Sequence, residues 1–425
     1  MTVRNTRNRK RNRILRRMLE CAALLSLCLL SGCWDKLELE EQAFVVVIGL
    51  DKGPRNTVEV TFQIANPQIG SSDIGTAEGE PPSDTIRFTS SDILSAKELA
   101  NTVITRTINF AHLKTMIVSE ELARDEIFPH IAGAAIRDPE LRREVAMIVS
   151  REKAFDFIMK NRPRLETRPH KYYELMQQRW METGYVPFST LNQYLQQQVT
   201  DSMFLAIYAT ARQHNHRVSR HEDAYLAGQV PKRAGDPVQM IGAAVFHNGR
   251  MVGTLTGEQM RWVQMLRHKA SVDAFITSFS DPLEEDAMVT VRLFKNGNTK
   301  IKFDLRKEVP RIHVTLPLRI QLLSFTSLEP YATDPEMQRM LIKHLKEQIE
   351  SELLEVIRLS QKKFPGDPFE WELFARKHFM TMPAYQAYGW SKHFKKAKVD
   401  VKVELRLENF GKQRTPYMQT KRKEG

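Results

Sequence analysis

The residue with the clearest chemistry in this sequence is Cys33, which directly follows the small residues Ser31 and Gly32. Small residues directly before a cysteine form a lipobox, the pattern found in bacterial lipoproteins. At a lipobox the thiol is joined to diacylglycerol, the leader is cut before the cysteine, and the new amino terminus is acylated. We therefore predict that Cys33 is a lipid attachment site, carrying an S-diacylglycerol group and an N-acyl group such as palmitate.

The residues before Cys33 have the composition of a secretory signal peptide. Residues 1–32 contain eight Lys or Arg and one acidic residue, which gives +7 of the net charge of +12. The apolar stretch at residues 21–30 is too short for a transmembrane helix, which needs about 20 residues. No later segment approaches about 18 consecutive apolar residues, so we predict a chain attached to a membrane by lipid without crossing it. The alternative is a buried helix that happens to end in Ser31-Gly32-Cys33.

The cysteines and one histidine-rich stretch are the remaining candidates for thiol or metal chemistry. Cys21 and Cys28 would leave with the leader and Cys33 would be acylated, so disulfides, thiolate zinc sites and cysteine nucleophiles are excluded. The metal-like group of the sequence consists of His214, His216, His221, Glu222 and Asp223. His214 and His216 are two positions apart and would point to opposite sides of an extended chain. A solvated loop is therefore favoured over a metal site, and no cofactor is predicted.

Two charged turns, Asp51-Lys52 and Arg137-Asp138-Pro139-Glu140, could each form a site, although strand and helix ends carry such residues routinely. The sequence has no P-loop, no Gly-x-Gly-x-x-Gly after a strand, no Gly-x-Ser-x-Gly and no His-Glu-x-x-His. Nothing brings a nucleophile together with a base, so no catalytic residue is predicted and we do not expect an enzyme. Beyond residue 32 the net charge is only +5, which disfavours a nucleic-acid binder.

The elements that must position these residues alternate between strands and helices in the first half of the chain, which favours a sheet flanked by helices. An apolar run at residues 43–50 and an alternating run at 58–64 predict a hairpin. A capping box formed by Ser95 and Glu98 predicts a helix through about residue 106, with Leu99 and Val103 on one face.

The second half of the chain is richer in strand patterns. Asn248-Gly249 predicts a tight hairpin, because both turn positions need a positive φ. Residues 295–298 predict a second hairpin between strands at 288–294 and 299–304. Two further strands are predicted on either side of Pro317.

The longest predicted helix runs from residue 333 or 334 to about residue 363, and packing of its apolar face on a sheet is favoured over binding a partner. One stripe along this helix consists of Leu341, Leu345, Ile349, Leu353, Val356 and Ser360. We predict a mixed α+β (α/β) fold with mixed sheets flanked by helices. The predicted divisions are a signal peptide at 1–32, an N-terminal α/β domain at 33–211, a middle hairpin and helix domain at 224–281, a strand-rich C-terminal domain with the long helix at 282–412, and a basic tail at 413–425.

Landmarks spread along the chain begin where the lipobox runs into Trp34-Asp35 and end with the last strand before Gly411. They are Leu30-Ser31-Gly32-Cys33-Trp34-Asp35, Glu38-Leu39, Ile48-Gly49-Leu50-Asp51-Lys52-Gly53, Ile136-Arg137-Asp138-Pro139-Glu140-Leu141-Arg142, Gly242-Ala243-Ala244-Val245-Phe246 with Met251-Val252-Gly253, Gln361-Lys362-Lys363 and Trp390. Together they resemble the Ger(x)C family, the C subunits of spore germinant receptors. The histidine-rich stretch departs from the family, as does Asp367-Pro368-Phe369-Glu370-Trp371-Glu372, where the family usually has a Gly-bearing turn.

The resemblance implies a three-domain lipoprotein on the extracytoplasmic face of the spore inner membrane. It implies a membrane-anchored C subunit that acts with the membrane A and B subunits of the receptor in the assembly and signalling of nutrient-triggered germination. Cys33 is the one functional residue that it transfers, and direct binding of the germinant stays open. Two other classes remain: an extracytoplasmic solute-binding lipoprotein of a transporter, which would need two similar α/β lobes around a cleft, and a cell-envelope hydrolase, whose nucleophile and metal motifs are missing.

Overall fold

The computed structural model describes residues 16–20, 38–66, 82–198, 200, 202–213, 223–270, 272–284, 286–325, 331 and 334–409. The described residues up to 42 belong to one compact unit, and those from 43 onward belong to another. Cys33 and most of the predicted signal peptide lie outside the described residues. No helix in the described ranges combines the length and the apolar character that crossing a membrane requires.

The first sheet is mixed, and in the described part of the chain it has nine strands. They are β1 (Gln42–Lys52), β2 (Val58–Ala65), β3 (Ser83–Ser90), β4 (Thr107–Asn109), β5 (Thr115–Ser119), β6 (Ala146–Ser150), β7 (Phe204–Thr210), β8 (Gln239–His247) and β9 (Arg250–Leu255). The order is β3-β2-β1-β5-β6-β7-β8-β9, with β4 also paired to β1. Strands β1, β5, β6 and β7 run parallel at the centre, and antiparallel pairs extend the sheet on both sides.

Helices cover both faces of this sheet, as the complete burial of β5, β6 and β7 requires. One core contains Phe128 and Tyr194, and the core on the opposite face contains Phe157 and Tyr173. The helices in this part of the chain are α1 (Ile93–Asn101), α2 (Glu120–Ala123), α3 (Phe128–Ala135), α4 (Ala154–Lys160), α5 (Pro169–Thr183), α6 (Leu191–Gln197) and α7 (Gly257–Leu266).

The predicted bounds of α1 were wrong. The helix begins three residues earlier than expected, because the Asp92 carboxylate accepts the Ser95 N–H at 2.7 Å and caps it. The buried face is formed by Ile93, Ala96 and Ala100. Leu99 and Val103 therefore fall outside that face, and their side chains are exposed.

The second sheet contains β10 (Ala274–Ser280), β11 (Met288–Lys295), β12 (Lys300–Asp304), β13 (Arg311–Phe325) and β14 (Lys398–Asn409). The predicted hairpin at residues 295–298 was wrong, because β11 and β12 do not pair with each other. Both pair antiparallel with β13, which is a single long strand, and they meet successive parts of it. Strand β14 pairs with the other side of β13 in parallel. Pro317 lies inside β13 opposite the interruption between β11 and β12, where its missing N–H breaks no ladder bond.

Two side chains at the edges of the interruption between β11 and β12 stabilise the C-terminal end of α7. The Lys295 Nζ donates to the carbonyl of Arg267 at 2.7 Å, and the Thr299 hydroxyl donates to the carbonyl of Met265 at 2.7 Å. The last carbonyls of a helix have no partner within the helix, so these bonds satisfy groups that would otherwise be orphaned. Burial lowers the pKa of Lys295 to about 8.

The predicted long helix is confirmed as α8 (Pro335–Lys363), with Asp334 as its N-cap. All six residues of the predicted stripe are buried, and α8 packs against β14 and α7. Three shorter helices follow: α9 (Glu372–Ala375), α10 (Met382–Tyr388) and α11 (Trp390–Lys396), with a 3-10 helix at Arg376–His378. Two mixed sheets flanked by helices confirm the mixed α+β fold.

One core is shared between the two sheets. It contains Leu205 and Val245 from the first sheet, Val291 and Leu316 from the second, and Leu345 from α8. Strands β8 and β9 follow residue 224 in the chain and are hydrogen-bonded into the same sheet as β7. The division into domains at 211–224 and at 281–282 stays a prediction.

Gly242 in β8 occupies a position that we expect only glycine to tolerate. Its φ is 88°, and a Cβ atom there would lie 2.4 Å from the carbonyl oxygen of Leu255. Because the clash is with backbone, it cannot be relieved by a side-chain rotation. We expect Gly242→Ala to lower the free energy of unfolding by about 2–4 kcal/mol, measured as a shift in the urea midpoint by circular dichroism. The matched control is Gly133→Ala in α3, where a Cβ would meet no atom within 4 Å. Equal effects of the two substitutions would contradict the prediction.

Candidate functional site

The carboxyl ends of the parallel strands are the first candidate, because ligands of open α/β sheets bind at that edge. Asp51, at the end of β1, is 1% exposed. Its carboxylate accepts the N–H groups of Ala154 at 2.7 Å and Phe155 at 3.0 Å, which are the first residues of α4. Burial raises the pKa of Asp51. Asp51 therefore caps a helix of its own chain, and the neighbouring Lys52 forms an ion pair with Asp125 at 2.7 Å.

Two further carboxylates at this edge are also bound internally. Glu152 accepts the Thr210 hydroxyl at 2.6 Å and the N–H of Ala211 at 2.5 Å. Glu120 accepts the Tyr208 hydroxyl at 2.5 Å, and burial raises the pKa of Tyr208. The carboxyl edge is thus cross-linked by its own side chains, an arrangement that stabilises the loops after β5, β6 and β7.

The second charged turn, residues 137–140, is held against α1. The Lys97 Nζ lies 2.8 Å from both the Asp138 and Glu140 carboxylates. Glu140 also accepts the N–H of Phe110 at 3.0 Å. These contacts join the turn to the sheet and give it a structural role.

His214, His216, His221 and Glu222 lie outside the described residues. Asp223 is buried, and its carboxylate lies 3.0 Å from the Arg261 guanidinium in an ion pair whose side chains are each 4% exposed. Burial, followed by the charges of Glu258 and Asp223, raises the pKa of the nearby Glu352 to about 8. Within the described ranges, no three His, Cys, Asp or Glu side chains come together as metal ligands would.

The tryptophans with described side chains, Trp262, Trp371 and Trp390, are buried in the core. The indole N–H of Trp371 donates to the carbonyl of Leu266 at 3.0 Å, and that of Trp390 donates to Asp367 at 3.3 Å. Trp262 packs edge-on against Phe275. These contacts do not form an aromatic cage for a ligand.

Two cavities lie beside the first sheet. They could not be predicted from the sequence, because their walls come from segments far apart in the chain. One of about 240 Å³ is mainly apolar and lies between α5, β6 and the exposed ring of Phe188. The other, of about 470 Å³, has a mixed lining to which Asp84, Asn161 and Arg162 contribute polar groups. The Asn161 amide donates to the Tyr173 hydroxyl at 3.0 Å, and its Oδ1 is buried with no partner among the described residues. A mainly apolar lining with a few polar groups is the usual composition of a small-molecule site.

Comparisons with known proteins point to one family. The family model described as "Spore germination protein N-terminal domain" matches residues 35–210, and the model described as "Spore germination B3/GerAC like, C-terminal" matches residues 241–411. "Putative spore germination protein YfkR" of Bacillus subtilis (strain 168) is 24% identical over 411 residues, which cover 92% of this chain and 96% of that protein.

Two further relatives agree. "Spore germination protein KC" of the same organism is 30% identical over 145 residues, which cover 34% of this chain and 36% of that protein. The crystal structure of the GerBC protein matches with a TM-score of 0.51 at 15% identity, covering 85% of this chain and 97% of that one, a likeness that shows the fold. The two family models match in order over most of the chain, so the resemblance expected from the sequence is confirmed. The chain belongs to the GerAC-like, or Ger(x)C, family of spore germination proteins.

Proposed function

We propose that this chain is the membrane-anchored C subunit of a spore germinant receptor, needed for assembly and signalling of nutrient-triggered germination. The observation that carries the proposal is the ordered match of both family models, one to each half of the chain. The relatives named above are described as spore germination proteins. In this proposal the subunit is not an enzyme, and its folded body provides surfaces for other proteins.

The proposed attachment is through lipid on Cys33, at the extracytoplasmic face of the spore inner membrane. The match to the N-terminal family model begins at residue 35, two positions after Cys33. A body that starts directly after an acylated cysteine would be held close to the membrane surface. Two acyl chains would make that attachment effectively permanent.

The proposed partners are the membrane A and B subunits of the receptor. A lipid tether confines the body to a thin layer above the bilayer, which raises its effective concentration toward proteins in the same membrane. Assembly would then need less affinity from each contact surface than it would in solution.

The fold disfavours the solute-binding alternative. That class needs two similar lobes around a cleft, whereas this chain has a nine-stranded sheet and an unlike five-stranded sheet in its described residues, joined by a shared core. The cavity of about 470 Å³ is lined by residues between 63 and 172, so it belongs to the first sheet alone.

The tether is tested by Cys33→Ala in spores that depend on this receptor. Losing both acyl chains is expected to lower the membrane-bound amount of the protein roughly tenfold or more, and to slow nutrient-triggered germination accordingly. Both can be measured, by immunoblotting of spore membranes and by the loss of optical density after nutrient addition. The matched control is Cys28→Ala, which changes a leader cysteine and should change neither. Wild-type abundance and germination in Cys33→Ala spores would show that the proposed tether is not needed.

A further inference from the structure

The segment from α9 to the start of β14 has an unusual charge. Between Leu373 and Lys398 the sequence contains six Lys or Arg and no Asp or Glu. Five of these cations belong to the 3-10 helix and α11, and all five are exposed: Arg376, Lys377, Lys392, Lys395 and Lys396. We call this set the basic face. None of the five forms an ion pair with a described residue.

Ring contacts hold the two groups of cations on one small substructure. Phe379, directly after the 3-10 helix, lies 5.7 Å from Tyr385 and 5.0 Å from Tyr388 of α10. Tyr388 in turn stacks on His393 of α11 at 3.9 Å between ring centroids. Trp390 anchors α11 in the core. The 3-10 helix, α10 and α11 are therefore fixed against one another, and the basic face is a property of the fold.

An apolar tip lies between the two groups of cations in the sequence. Met380 is fully exposed and Met382 is 48% exposed, and the following Pro383 and Ala384 are exposed as well. Exposed apolar side chains placed together, next to polar residues, mark surfaces that bind a membrane or a protein. Methionine is flexible and polarizable, so it can enter an irregular apolar environment without a shaped pocket.

We propose that this surface docks on an anionic lipid bilayer, with the basic face against the headgroups and Met380 and Met382 inserted at the acyl boundary. A bilayer supplies negative charge over a broad area and accepts an apolar side chain at any lateral position. An acidic protein would instead have to offer a pocket for each methionine. Neither of the two cavities described above includes a residue of this surface, so it is not the rim of a ligand site.

The docking surface is independent of Cys33, since it lies in a different part of the chain. If the proposed lipid anchor is also present, the body is held to the membrane at two places. A second attachment restricts the orientations of a tethered body and so selects the surfaces that it shows to membrane partners. That consequence rests on the proposed function, whereas binding to anionic lipid does not.

The test uses the full chain with Cys21, Cys28 and Cys33 replaced by Ser and with Met380→Cys labelled by an environment-sensitive fluorophore. Vesicles of phosphatidylcholine with phosphatidylglycerol should increase and blue-shift the emission, and vesicles of phosphatidylcholine alone should not. The response should disappear in about 1 M salt, where the Debye length falls to about 3 Å. Reversing three cations with Lys392→Glu, Lys395→Glu and Lys396→Glu should weaken binding to the anionic vesicles by roughly a hundredfold or more.

A matched label at Lys343→Cys, on the exposed side of α8, should stay unchanged in both kinds of vesicle. If the chain floats with vesicles while the label at position 380 stays silent, the inference is overturned. That result would not bear on the proposed lipid anchor at Cys33. An equal response with and without phosphatidylglycerol would overturn the recognition of charge. A response to poly-glutamate in place of vesicles would assign the surface to an acidic protein and overturn the lipid proposal.

Discussion

Replacing Arg261 by Met is expected to lower the free energy of unfolding by about 3–5 kcal/mol, because it leaves the Asp223 carboxylate buried without its partner. Both side chains of this ion pair are 4% exposed, and their charged atoms are 3.0 Å apart. A carboxylate removed from water at this depth has little other compensation, apart from the Thr277 hydroxyl that donates to it at 2.9 Å.

Arg261 also joins separate parts of the fold. Its guanidinium donates to the carbonyl of Thr183 at the end of α5 and to the carbonyl of Ile276 in β10. It lies over the ring of Tyr185 at 3.7 Å and over that of Phe275 at 4.7 Å. Loss of the side chain therefore removes contacts between the first sheet and the second, in addition to the ion pair.

Urea unfolding followed by circular dichroism would measure the effect. The control is Arg250→Met, which removes a solvent-exposed pair with Glu126 and should cost about 1 kcal/mol or less. Asp223→Leu combined with Arg261→Met should be less destabilising than the sum of the two single changes, because the double variant leaves no unpaired charge. If Arg261→Met lowered the free energy of unfolding as little as Arg250→Met does, the buried pair would contribute little to the stability of the fold.

Replacing Asp367 by Ala is the second large change, with an expected cost of about 3–5 kcal/mol. The Asp367 carboxylate accepts the N–H groups of Phe369 at 2.7 Å and Glu372 at 3.0 Å, and the indole N–H of Trp390 at 3.3 Å. Alanine would leave these donors buried and unsatisfied. The Asp367 carbonyl also accepts the N–H of Met203, so the segment that departs from the family pattern ties the first sheet to the C-terminal helices.

Asp367 also gives stability a dependence on pH. Burial, and next the charge of Glu372, raise the pKa of Asp367 to about 7 against the opposing effect of its hydrogen bonds. An unfolded chain releases this proton near the ordinary value of 3.8, so between about pH 4 and pH 7 the folded state binds more protons. Stability from this group therefore falls as pH rises through that range and is level above it.

Asp367→Asn tests the pH effect separately from the hydrogen bonds, because the amide keeps one acceptor and does not ionise. It should cost less than Asp367→Ala, and the urea midpoint should fall less steeply between about pH 4 and pH 7 than in the parent protein. Exposed Asp273→Asn is the control and should leave the slope unchanged. An unchanged slope in Asp367→Asn would mean that this carboxyl does not hold its proton in the folded state.

The sequence predicted those elements whose determinants are local. The stripe of α8 repeats within one helix, and Asp334 stands directly before it, so both the helix and its cap could be recognised. Asn248 and Gly249 have φ values of 49° and 78°, as the predicted hairpin between β8 and β9 requires. The lipobox is likewise contiguous, although Cys33 lies outside the described residues and its acylation stays a prediction.

The elements that were missed depend on distant partners. β11 and β12 are separated by turn residues that would suit a hairpin, but β13 provides a longer uninterrupted ladder for both. Asp51 could be recognised as a charged strand end, yet its role depends on Ala154, 103 residues away. Helices α10 and α11 were not predicted, since each has only seven residues and is held by aromatic contacts rather than by a long apolar stripe.

The central claim is that this chain is a subunit of a germinant receptor, and its most direct test is isolation of its complex. The tagged protein would be purified from detergent-solubilised spore inner membranes, and the co-purifying proteins identified by mass spectrometry. We predict recovery of a multi-pass, transporter-like membrane protein together with a second membrane subunit. Recovery of this protein alone, under conditions that keep a known receptor complex intact, would contradict the claim.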